Sequence, residues 1–122
     1  MSALPSPGPD ARSATRDIAD VSAVEIISTA AVHLMSAAAV KCGLSEDGPD
    51  HPGSEYLDLD EARKLITALA ALVTASAPDL GSQHARSLRD GLRSLQLAFR
   101  EASPFPDAPG DGPGEAFTGY VS

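Results

Sequence analysis

The chain alternates between long stretches in which apolar residues recur at helical spacing and shorter stretches rich in proline and glycine. In the first periodic stretch the polar residues fall in one narrow stripe, at Ser22, Glu25, Thr29, His33 and Ser36. Most other positions there are apolar or alanine, and a helix of that kind is normally buried on most sides. Ser22 and Glu25 have the spacing of a capping box and Gly43 suits a C-terminal stop, which together predict a helix over 22–42.

Two further helices are predicted downstream. Asp58 and Glu61 form a second N-terminal capping pair and Pro78 marks an end, so the second helix is predicted over 58–77. The third is predicted over 82–102, where apolar side chains form one helical seam. That seam consists of Leu88, Leu92, Leu95, Phe99 and Ala102. Gly91 inside the third helix reflects either a close helix contact or simple tolerance.

These patterns predict an all-α fold, a three-helix small domain over 20–102 in which a helical hairpin is joined to a long apolar first helix. Residues 1–19 and 103–122 are rich in proline, glycine and small polar residues, and have too few apolar side chains to offset the entropy of ordering. Both ends are therefore predicted to be disordered tails. Phe117 and Tyr120 in the acidic C-terminal tail are either incidental or part of a short motif that folds on a partner.

The first helix is expected to need covering by a second chain. A chain of 122 residues with unfolded ends has few other elements to pack against so apolar a helix. We therefore predict a homo-oligomer, with a dimer favoured, in which the first helix meets the small-residue face of the second. The predicted interface residues are Val24, Ile27, Ala31, Leu34, Ala38, Ala68, Ala71 and Ala75.

Composition and charge indicate the cellular compartment of the protein and narrow the classes of partner. The single cysteine, Cys42, cannot form an internal disulfide, which fits a reducing compartment. Residues 1–20 lack the apolar region of a signal peptide, and the apolar run 24–40 is short for a membrane span. We expect a cytoplasmic protein without a membrane segment. The net charge of −8 argues against nucleic acid docking on the bulk of the surface.

Candidate chemistry is sparse. His33 is either a metal-binding or proton-active group or a histidine hydrogen-bonded between helices, and Cys42 at a helix C-terminus is expected to be inert. The acidic loop 45–61 lacks calcium-loop spacing and is more simply a solvated segment. The sequence contains no catalytic triad order, phosphate loop or dinucleotide fingerprint, so we predict no enzyme, no cofactor and no metal.

One basic feature stands out in this acidic chain. The third helix carries four arginines against two acids, and three of the arginines are seven residues apart on one side. The arginines are Arg86, Arg89, Arg93 and Arg100. This strip is either a docking site for RNA or an acidic partner, or a solvated helix face.

The middle of the chain resembles a bacterial family of uncharacterised proteins, domain-of-unknown-function family 1844. The resemblance rests on His33-Leu34 in the first helix, the run from Asp58 to Ile66 and the Leu-rich stretch ending at Phe99. Gln96 stands where the family pattern has an arginine. The resemblance implies a helical fold, no assigned activity and a gene neighbourhood of translation components, including initiation factor 3 and ribosomal proteins.

The interpretation that fits these patterns best is a non-enzymatic protein–protein interaction module that associates with itself. Its unknown protein partner would be translation-related on the family's gene neighbourhood alone. One alternative is a protein that contacts RNA or the ribosome through the arginine strip, and His33 is a further candidate for partner binding. A second alternative is a small metal-dependent or acid–base enzyme that uses His33.

Overall fold

A computed structural model describes residues 18–44 and 53–122, and these residues fold into helices joined by short connections. Three helices are long, one is a single turn near the C-terminus, and a 3-10 turn spans Gly53–Tyr56. The helices are α1 (Ala23–Lys41), α2 (Leu59–Leu80), α3 (Ser82–Ala102) and α4 (Glu115–Thr118). No β-strand occurs in these ranges. The all-α class and the three long helices are confirmed.

Local capping contacts explain where the first two long helices begin. The hydroxyl of Ser22 accepts a hydrogen bond from the Glu25 N–H at 3.2 Å, and the Asp58 carboxylate accepts one from the Glu61 N–H at 3.2 Å. The Asp58 N–H also donates to the Lys41 carbonyl at 2.8 Å. The end of α1 therefore lies against the start of α2, and the two helices run antiparallel.

The second helix continues past its predicted end at residue 77. Pro78 lies inside α2, which runs on to Leu80. A proline in the last turn removes the hydrogen bond to the carbonyl four residues earlier and crowds that carbonyl. That residue, Thr74, is exposed, so its carbonyl can turn toward water. Gly81 then ends the helix with φ +86°, and α3 begins at the next residue.

The core lies where α2 and α3 meet. The largest fully buried side chains are Ile66, Leu69, Val73 and Leu92. The first helix contributes two buried alanines, while its larger inward side chains are only half-buried at the edge of this core. Gly91 allows α1 to approach α3, because a Cβ atom there would lie 2.5 Å from the sulfur of Met35. The close-contact interpretation of Gly91 is the one the structure supports.

The C-terminal tail requires a correction. Residues 103–122, predicted to be disordered, form an ordered segment that packs against α2 and α3 and includes α4. Its order comes from hydrogen bonds and ion pairs to distant side chains, which composition does not reveal. At the other end, residues 18–20 are helical. The rest of the predicted N-terminal tail, and residues 45–52 of the acidic loop, lie outside the described residues.

Candidate interaction surfaces

The predicted interface on α1 faces the protein's own core. Ala31 and Ala38 are fully buried, and Val24, Ile27 and Leu34 are half-buried against the core. These five positions share one face of the helix, and that face packs on α2 within the same chain. Ala31 and Ala38 are covered within one chain, whereas Val24, Ile27 and Leu34 keep part of their surface exposed. A place for these three in an oligomer interface stays a prediction.

The opposite side of α1 stays exposed although much of it is apolar. Ile26 is 47% exposed, Val32 52% and Val40 44%. These side chains flank the polar stripe, in which Glu25, Thr29, His33 and Ser36 are also exposed. Of the 19 residues of α1, two are buried, eight are half-buried and nine are exposed. One side of the first helix therefore remains uncovered within one chain.

The alanine face of α2 adjoins this exposed helix. Ala68 and Ala75 are exposed and Ala71 is half-buried. Leu65 and Leu72, half-buried at the edge of the core, lie on the side of α2 away from Ala70, which contacts the C-terminal segment. We name the area where α1 and α2 meet on this side the α1–α2 apolar surface. It comprises Ile26, Ala30, Leu34, Leu65, Ala68, Leu72 and Ala75, none of which carries a charge.

A second region is built by the C-terminal segment around one buried carboxylate. Glu115 is 6% exposed, and its Oε1 accepts hydrogen bonds from the N–H groups of Gly110 at 3.1 Å and Gly112 at 2.8 Å. Its Oε2 accepts from the N–H of Val121 at 2.7 Å and lies 3.4 Å from Nη2 of Arg100. One carboxylate thus ties the middle of the segment to its end and to α3.

Two polar side chains of α3 hold this segment against the hairpin. Buried Gln96 donates from Nε2 to the Pro113 carbonyl and to Oγ1 of Thr118, both at 3.1 Å. Arg100 donates to the Val121 carbonyl, and its guanidinium lies 4.8 Å from the centre of the Tyr120 ring. Gln96 and Arg100 are one turn apart, so both side chains project toward the same segment.

Arg63 of α2 anchors the start of the segment. Its Nη2 lies 2.9 Å from Oδ2 of Asp107, and its guanidinium lies 5.0 Å from the centre of the Phe99 ring. Asp107 belongs to the acidic tail, so a residue expected to be solvated is paired with a cation of the helical domain.

The C-terminal segment engages part of the arginine strip and leaves the rest exposed. Arg93 donates to the main-chain oxygen of Ser122, and Arg100 is engaged as described above. Arg86 and Arg89 are exposed and have no acceptor among the described residues. The strip therefore offers two of its four guanidinium groups for an outside partner, with part of a third.

The three long helices match a known protein family. Residues 23–101 match the family model described as a domain of unknown function, DUF1844. The chain belongs to this family. No curated protein and no solved structure matches the chain. The matched range stops before the C-terminal segment, so the contacts of Glu115 lie outside the DUF1844 match.

A cleft opens between the DUF1844 helices and the C-terminal segment. It has a volume of about 480 Å³. Val73 and Leu92 lie at its base, Arg89 and Arg93 line one side, and the exposed rings of Phe117 and Tyr120 belong to its lining. The tail aromatics, placed by sequence in a disordered tail, thus lie beside the arginine strip. The sequence feature that comes nearest to indicating this docking is the pair of polar residues Gln96 and Arg100, which lie beside the apolar seam of α3.

The remaining candidate groups are not brought together. His33 is exposed on α1, and the described ranges contain no group of three His, Cys, Asp or Glu side chains placed to hold a metal ion. Cys42 is 5% exposed, and burial raises the pKa of its thiol. A raised pKa keeps the sulfur protonated at neutral pH, which makes it a poor nucleophile.

The first helix has a second property that bears on its role. Among the described residues, α1 is the one helix long and apolar enough, by length and composition, to cross a membrane. The core helix of a soluble protein and a signal sequence meet the same criterion, so the property indicates an apolar helix and no more.

Proposed function

We propose that this DUF1844 protein is a non-enzymatic interaction module that associates with a second copy of itself through the α1–α2 apolar surface. The observation that carries the proposal is the exposure of α1. Large apolar side chains of α1 that stay about half exposed are costly, at roughly 25 cal/mol for each Å² of apolar surface that a partner would cover. A second copy removes this cost for both chains at once.

The size of the surface fits a weak but specific dimer. A helix of 19 residues is about 28 Å long, and two adjacent helices present a width of about 20 Å. Each copy would therefore bury roughly 500 Å², or about 1,000 Å² for the pair, which is the lower limit for specific interfaces. Small residues at Ala30, Ala68 and Ala75 allow the helices of two copies to approach closely.

The chemistry of α1 favours protein over lipid as its cover. The polar stripe with Glu25 and His33 borders the exposed apolar side chains, so the uncharged exposed strip of α1 is narrower than the apolar face of a helix that lies in a membrane surface. The acidic net charge of −8 also opposes binding to an anionic lipid surface. We propose a cytoplasmic location on the same grounds.

Charge insertion tests the proposed interface. Ala30→Glu on α1 and Ala75→Glu on α2 place a carboxylate on the surface without touching the core, since both alanines are exposed. An uncompensated charge in an interface costs about 3–5 kcal/mol, so each variant should weaken the dimer by roughly a hundredfold or more. Sedimentation velocity at several concentrations measures this.

The matched control is Ser94→Glu, which adds the same charge at an exposed position on α3. It should leave the dimer unchanged. Equal weakening by all three variants would mean that net charge, rather than the α1–α2 apolar surface, governs association, and the proposed interface would fall.

From the family's gene neighbourhood we propose that this protein is an accessory of the translation machinery and that its cellular partner belongs to that machinery. Contact with ribosomal RNA would depend on Arg86 and Arg89, the two strip arginines without an acceptor among the described residues. Replacing both with glutamate should abolish co-sedimentation with ribosomes at low salt. Absence of the native protein from the ribosomal pellet would remove this role.

A further inference from the structure

We propose that the cleft between the C-terminal segment and the α2–α3 hairpin binds a small organic anion, with an apolar or aromatic body that carries a carboxylate or a phosphate. The proposal is independent of self-association, because the cleft is built from α2, α3 and the segment after residue 102. The cleft volume of about 480 Å³ lies within the range of small-molecule sites.

The base of the cleft is apolar. Val73 is fully buried, Leu92 is 2% exposed, and Val121 at the end of the segment is 7% exposed. These side chains form the covered floor beneath the cleft, and a ligand body would rest against the exposed rings of Phe117 and Tyr120. An apolar base with a few polar groups around it is the usual composition of a ligand pocket.

The charge of the cleft is positive in an otherwise acidic protein. Arg89 and Arg93 are four residues apart on α3, so both guanidinium groups lie on the same side of the helix. Arg89 has no acceptor among the described residues, and Arg93 uses one N–H for the Ser122 oxygen. Each guanidinium has five N–H donors in a planar fork, which suits the oxygens of a carboxylate or phosphate. The described residues that line the cleft include no acidic side chain.

The aromatic rings supply the second point of recognition. Phe117 is 48% exposed and Tyr120 54% exposed, and both belong to the cleft lining. Arg100 lies over the Tyr120 ring at 4.8 Å, which holds that ring in place. Offset stacking on such rings favours a flat ligand body, while the two arginines fix its charged end.

Four probes test separately whether the charged group and the apolar body of the ligand contribute to binding. These are phenyl phosphate, benzoate, inorganic phosphate and benzyl alcohol. Amide chemical shifts of the isotope-labelled full chain report where each probe binds. We expect phenyl phosphate or benzoate to shift the amides of α3 around Arg89 and of residues 117–122, and to bind at least tenfold more tightly than inorganic phosphate or benzyl alcohol. The better of the two aromatic anions identifies the charged group.

Arg89→Gln is the decisive variant, and Arg86→Gln is its control. Both arginines are exposed on the same helix, but only Arg89 lines the cleft. Arg89→Gln should weaken binding of the aromatic anion roughly tenfold or more, while Arg86→Gln leaves it unchanged. Equal weakening by both variants, or shifts confined to α1, would overturn the site. So would the absence of saturable shifts with either aromatic anion, or equal binding of inorganic phosphate.

Discussion

Glu115 shows how one side chain can order a segment that composition marks as unfolded. Its carboxylate accepts three main-chain hydrogen bonds and lies beside the Arg100 guanidinium. Hydrogen bonds to a charged acceptor are about twice as strong as neutral ones. The segment gains this stabilisation only in the folded chain, because the Val121 N–H and Arg100 are brought to Glu115 by the fold.

Replacing Glu115 with glutamine tests this account. The amide keeps the shape but loses the charge and one acceptor oxygen, so the free energy of unfolding should fall by about 1–3 kcal/mol. Urea denaturation followed by circular dichroism measures the loss. The control is Glu101→Gln, at an exposed position of α3, which should change stability by less than about 0.5 kcal/mol. Equal stability of Glu115→Gln and the unaltered protein would contradict the role of the carboxylate.

At the scale of elements, the C-terminal segment depends on the close approach of Gly114 to α2. Gly114 has φ +76°, and a Cβ atom there would lie 2.7 Å from Cβ of Ala70 and 3.2 Å from Nε2 of Gln96. A methyl group at Gly114 therefore meets a rigid neighbour on the helix. The turn before α4 can adopt its position only with glycine.

Gly114→Ala should release the segment from α2 and α3 while the three long helices stay folded. Limited proteolysis should then cut residues 103–122 much faster than in the unaltered protein. Gly110→Ala is the control, because Gly110 has φ +91° but a Cβ atom there would meet nothing within 4 Å, so it tests backbone strain alone. Similar protection of the segment in Gly114→Ala and the unaltered protein would contradict the proposed close packing.

The helices were predictable because their signals are local. Ser22 and Asp58 cap the first turns that follow them, and apolar spacing of three and four residues marks the inward faces. The order of residues 103–122 was not predictable, since Glu115, Asp107 and Gln96 find partners far along the chain. Spacing shows in the same way that Ala31 and Ala38 share a face, but not that this face is covered within one chain.

For the whole molecule, the α2–α3 hairpin is well covered and α1 is not. The hairpin is packed by α1 on one side and by the C-terminal segment on another, whereas Ile26 and Val32 on α1 remain about half exposed. A monomer would keep this apolar area in water. The proposed self-association would cover the part of this area that belongs to the α1–α2 apolar surface, Ile26 included.

The most direct test of this claim is the molar mass of the unaltered protein by sedimentation equilibrium over roughly 1–100 μM. The account predicts a mass that rises with concentration to at least twice the chain mass of 12.5 kDa, while circular dichroism stays helical. A stably folded protein that remains at 12.5 kDa over the whole range would contradict it.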